Sequence, residues 1–153
     1  MSCDAVASVA LLWMAATSPI DKPGLIALPT TQTVPLTGVA SEPLFADIVK
    51  RAGTLKAAIA AFKGLTGPVP DSFKTGIGEL AALDMQGHLT LAQRGTDGDL
   101  KCILRGISQD LPLKLGAVEA AVNPKDRDLA LRDMAYLLND NVEVITSPPA
   151  PPV

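Results

Sequence analysis

The sequence predicts an α+β fold: about four helices (roughly 42–64, 71–86, 110–122 and 124–139) and a small antiparallel sheet. Three observations predict it. Phe45, Ile48, Ala52, Leu55, Ile59 and Phe62 recur at spacings of 3, 4, 3, 4 and 3, a helix with one apolar stripe. Residues 88–94 and 99–105 flank Gly95-Thr96-Asp97-Gly98, a turn-rich loop of hairpin type. Val142 to Ile145 is a β-branched run of strand character, the natural third strand beside that hairpin.

The chain opens on a segment unlike the rest. Residues 1–41 carry three charged side chains, Asp4, Asp21 and Lys22, against 26 in the other 112. Ala5 to Ala16 is apolar apart from Ser8. A membrane-spanning helix needs about 20 such residues, so no transmembrane span is expected. A signal peptide has an apolar stretch of this length but a basic start, and here the start holds Asp4 and no Lys or Arg. A retained N-terminal helix in a cytoplasmic protein is therefore expected. The alternative is an exported, envelope or periplasmic protein that loses a leader of residues 1–17. Prolines at 19, 23, 29 and 35 make the following stretch an extended arm, too apolar at Leu25, Ile26, Leu28, Val34 and Leu36 for a solvated linker.

A single globular domain is expected over 42–146. Ser41 is an N-cap candidate for the first helix, with Pro43 tolerated in the first turn. Arg51 and Lys56 flank its stripe on opposite sides, their stems covering the apolar edges. Gly64 ends it and Gly67-Pro68 turns the chain. Asp71 is placed to cap the second helix, with Phe73, Ile77 and Leu80 on one face. Gly76-Ile77-Gly78-Glu79-Leu80-Ala81 matches G-x-G-x-x-A, but no strand precedes it, so close helix contact is the better reading.

In the expected hairpin, Leu91 lies opposite Cys102 and Leu89 opposite Leu104, with Leu100 on the same apolar face. His88, Thr90, Lys101 and Arg105 take the other face, with Ile103 the exception. Asp110 is expected to cap the third helix, with Pro112 near its start. Asn123-Pro124 opens the fourth. Leu131, Met134, Ala135 and Leu138 share one side of that helix. Leu129 and Tyr136 fall on another, so it should meet two neighbours. Asn139-Asp140-Asn141 is read as its end. Residues 147–153 form a Pro-rich tail of polyproline type, a terminal spacer.

Net charge of −3 and five aromatic residues argue against nucleic acid, which is held by basic excess and aromatic platforms. His88 is the chain's one histidine, which rules out a two-histidine metal site. Cys102 is placed on the apolar face, as a small hydrophobe; a bridge to Cys3 requires an oxidising compartment. No catalytic residue, cofactor or metal ligand is assigned. The expected function is non-enzymatic: a structural, adaptor or regulatory subunit that binds a protein partner or its own copies. Leu25, Ile26, Leu28, Val34, Leu36, Arg51 and Lys56 are the candidate contacts. The alternative is a small-ligand domain or modest enzyme with a pocket near the hairpin, using His88, Arg94 and Arg105.

Overall fold

A computed structural model describes residues 36–65, 67–95 and 98–147, and within these every regular element is helical. A 3-10 turn, Leu36–Ser41, leads into α1 (Pro43–Ile59), which closes through a second 3-10 turn, Ala60–Phe62. Three longer helices follow: α2 (Asp71–Gln93), α3 (Leu100–Ala120) and α4 (Pro124–Thr146). Short connections force sequential helices to run antiparallel. Side chains tie opposite ends together accordingly: Arg94, just past α2, holds Glu42 at the start of α1, and Lys74 near the start of α2 holds Glu119 near the end of α3. α1 packs on α2 and α4, and α3 packs on α2 and α4, so the four helices close a ring around one core. The diagonal pairs, α1 with α3 and α2 with α4, barely touch through their backbones.

The α+β expectation is therefore overturned: the described part is an all-α four-helix bundle without a hairpin or sheet. Residues 88–93 complete α2 and 100–105 begin α3. Gly95, at φ 67°, supplies the left-handed residue of an interhelical turn. The physical reason lies in the inward stripes. On α2 the buried positions are Phe73, Ile77, Leu80, Asp84, Gly87, His88 and Leu91. That series keeps helical spacing throughout, but its last half carries an acid, a glycine and an imidazole where hydrophobes are expected. What remained visible there was the short alternation of Leu89 and Leu91. Leu89 is in fact about half exposed.

α4 runs past its expected end for the same reason. Leu131, Met134, Leu138, Asn141 and Ile145 face inward at spacings of 3, 4, 3 and 4, so Val142 to Ile145 belongs to the helix. Asn141 occupies a core position of that stripe. On α3, Leu100, Leu104, Ile107, Leu111 and Val118 form the stripe, and the helix starts ten residues before the expected cap at Asp110. Pro112 lies inside it, where it removes one backbone donor, and tertiary packing overrides that local cost.

The caps divide. Asn123 Oδ1 accepts from the Asp126 amide at 2.9 Å, with Pro124 in the first turn, as the sequence reads. Glu42, not Ser41, is the N-cap of α1, and Ser41 Oγ donates instead to the Gly38 carbonyl. The α1 stripe is buried from Phe45 to Ile59, and Phe62 meets Phe73 edge to face at 5.0 Å. Val39 joins the same core.

Candidate functional site

Two features stand out against this scaffold: a polar layer inside the bundle and an apolar strip outside it. The polar layer lies on α2 and α4. Asp84 and Asn141 are both fully buried, and Asn141 Nδ2 donates to Asp84 Oδ2 at 2.8 Å. Burial raises the Asp84 carboxyl from 3.8 to about 7, against the lowering effect of that hydrogen bond. One turn on, His88 is buried and its Nδ1 lies 2.7 Å from the Lys101 carbonyl. A carbonyl only accepts, so Nδ1 carries the proton of that bond.

The outer strip runs along α3 and α4. Ala117, Ala120, Ala121, Leu129 and Ala130 line a shallow open groove of about 270 Å³, with Lys114, Asp126 and Asp133 at its edges. Lys114 and Asp133 stand 4.0 Å apart across it. On the same two helices Leu113 and Tyr136 are 70% and 63% exposed, and Val122, in the α3–α4 connection, is 91% exposed. The other seams are built differently. Arg51 bridges Asp47 and Glu79 between α1 and α2 at 2.9 and 2.7 Å, and Lys74 holds Glu119 at 2.7 Å between α2 and α3. These partners raise the proton affinity of both cations.

The predicted partner contacts fall in several places. Leu25, Ile26, Leu28 and Val34 lie outside the described residues, and Leu36 begins the first 3-10 turn. Arg51 and Lys56 do flank the α1 stripe on opposite sides: Arg51 reaches α2, while Lys56 Nζ bonds Asn139 of α4 at 2.6 Å. Arg51 also lines a shallow depression of about 260 Å³ over Gly76. There Gly76 fits the close-contact reading, since a Cβ on it would lie 2.9 Å from Leu55 Cδ2.

The alternative ligand residues lose their hairpin. His88 is buried between α2 and α3, Arg105 is half-buried on α3, and Arg94 is exposed at the end of α2 in a bidentate pair with Glu42. Cys102 is half-buried and disulfide-bonded, not a free thiol on a core face; Cys3 lies outside the described residues. Among the described residues, no three His, Cys, Asp or Glu side chains gather as metal ligands, and no helix is long and apolar enough to cross a membrane.

Sequence reasoning missed the groove, though one signal for it was present. Leu129 and Tyr136 fall off the core face of α4, where the sequence predicts a second helix contact; the structure leaves both exposed. No protein-family model, curated protein or solved structure matches the chain.

Proposed function

We propose that the protein is a non-enzymatic helical module that binds another protein chain along the α3–α4 groove. One observation carries the reading. Leu113, Val122, Leu129 and Tyr136, four of the large exposed apolar residues, belong to α3, α4 or the connection between them. Apolar side chains gathered on one face mark interaction surfaces, whereas singly scattered ones do not. Tyr136 adds the amphipathic aromatic contact that such interfaces favour. The alanine floor admits the ridge of an incoming helix, and Lys114 and Asp126 at its edges supply charges that fix its direction.

The test uses the full chain. Tyr136→Arg and Leu129→Arg, each on an exposed position, should leave the helical signal unchanged and abolish recovery of the partner or self-association seen in sedimentation. A strictly monomeric wild type that recovers the same partners as both variants would remove the reading.

A further inference from the structure

We propose that Asp84 and Asn141 form a neutral acid–amide pair across the diagonal of the bundle, in which a proton on Asp84 Oδ1 donates to Asn141 Oδ1. The pair is then a proton-operated clamp between α2 and α4.

The geometry requires a donor where none is otherwise available. Asn141 Nδ2 already donates to Asp84 Oδ2 at 2.8 Å. The two remaining oxygens, Asp84 Oδ1 and Asn141 Oδ1, are both buried and lack a hydrogen-bond partner among the described residues. A carboxylate oxygen and an amide oxygen are acceptors only, so a charged Asp84 leaves two unmet acceptors in a dry core. One proton satisfies both. On Oδ1 the acid becomes a donor, and the carboxyl and carboxamide close a ring of two antiparallel hydrogen bonds. The carboxyl that results carries no charge to desolvate. Deprotonation releases the proton to solvent, breaks the Oδ1–H···Oδ1 bond and leaves the carboxylate held by the single bond from Asn141.

Among the described residues, no charge nearby offers another explanation. The inward residues of α1 (Phe45, Ile48, Ala52, Leu55 and Ile59) are apolar. Those of α3 are apolar except Ser108, whose hydroxyl donates to the Arg105 carbonyl. On α2 the neighbouring titratable group facing inward is His88, bonded through Nδ1 to the Lys101 carbonyl. On α4 it is Arg127, about four helical turns from Asn141. The raised proton affinity of Asp84 has burial as its first cause and no ionic partner among its causes. Because α2 and α4 are diagonal in the ring, this pair is a side-chain link between helices whose backbones barely meet.

Asp84→Asn tests the clamp, because a carboxamide has a permanent N–H where the acid has its proton. Urea unfolding of the full chain should show the wild-type unfolding constant rising at least about tenfold between about pH 5.5 and pH 8. Asp84→Asn should lose most of that rise and be the more stable of the two at pH 8. Carbon NMR of the wild-type Asp84 carboxyl provides a readout independent of any variant, and it should titrate well above the ordinary carboxylate range. A folded-state carboxyl titrating near 4, or an Asp84→Asn protein that keeps the wild-type pH slope, overturns the proposal. If Asp84→Asn does not fold, the wild-type titration alone decides it.

Discussion

The two halves of the bundle core are made of different material. In the half nearer the α3–α4 connection, Leu55, Ile59, Ile77, Leu80, Leu111, Leu131 and Met134 close on one another, with Arg127 at the start of α4 the buried polar side chain among them. In the half nearer Glu42 and Ser147, the same inward stripes carry Asp84, His88, Ser108 and Asn141 among Phe45, Ile48, Leu104 and Ile145. The first half holds mainly by area removed from water, which is tolerant of pH. The second depends on pairing each buried polar atom, because an unpaired one costs about 1–3 kcal/mol. Within one bundle, one half is expected to be indifferent to protons and the other governed by them.

The largest effect should come from opening the apolar half. Met134 is fully buried, and Met134→Ala leaves a cavity that its neighbours only partly fill. A loss of about 2–5 kcal/mol is expected, read by urea unfolding at fixed pH. The loss should be the same at pH 5.5 and pH 8. A loss that varied with pH would mean that the two halves are coupled.

Next comes the polar half without any substitution. A carboxyl raised from 3.8 to about 7 in the folded state binds protons more tightly there than in the unfolded chain. Stability contributed by this group is thus fully present at low pH and is lost as pH rises through that window, levelling above about 7. At about 1.4 kcal/mol per tenfold change in proton affinity, the total decline is up to roughly 4 kcal/mol. A wild type equally stable at pH 5 and pH 8 would make the two halves alike.

The same division explains what could be read from the chain. α1 was legible over nearly its whole length because every inward position from Phe45 to Ile59 is apolar. The start of α4 was legible because Asn123-Pro124 is both cap and first turn. The end of α2 and the end of α4 were not, because Asp84, His88 and Asn141 occupy core positions in polar disguise. Helical periodicity counts hydrophobes, and a polar layer reads as a break. Leu89, Leu91, Leu100 and Leu104 then offered a false strand period. The groove was less legible still, since alanines at 117, 120 and 121 are equally at home in a core or on a surface. Nothing local marks which side of α3 is left uncovered.

Packing around the polar half can be tested at smaller scale with two glycines one helix shares. A Cβ on Gly87 would meet Leu104 Cδ1 at 3.1 Å, Phe45 Cε1 at 3.3 Å and Ile48 Cδ1 at 3.5 Å, whereas a Cβ on Gly78 meets nothing within 4 Å. Gly78→Ala should therefore stabilise by about 0.5–1 kcal/mol through helix propensity. At Gly87 the same gain is opposed by overpacking against three buried side chains, a cost of typically about 1–3 kcal/mol. Gly87→Ala is expected to be the less stable variant in parallel thermal melts. The reverse order would show that this half has room to yield.

The smallest effect lies outside the core, at the end that holds the polar half. Arg94 grips Glu42 through two hydrogen bonds of 2.8 and 2.6 Å, and that grip lowers the Glu42 carboxyl from its ordinary value. A carboxyl lowered in the folded state contributes stability above its unfolded pKa and loses it as pH falls through the folded one, the opposite slope to Asp84. The pair is solvent-exposed, so Glu42→Gln should cost only about 0.2–1 kcal/mol at neutral pH, less in high salt. Its value lies in the sign. With acid eroding the Glu42 pair and base eroding the Asp84 pair, stability should peak near the unfolded carboxyl pKa, at about pH 4. Glu42→Gln should flatten only the acid side of that peak, measured by urea unfolding across the pH series. If it flattens the alkaline side instead, Glu42 is coupled to the polar half, and the surface at this end would belong to that half's proton response.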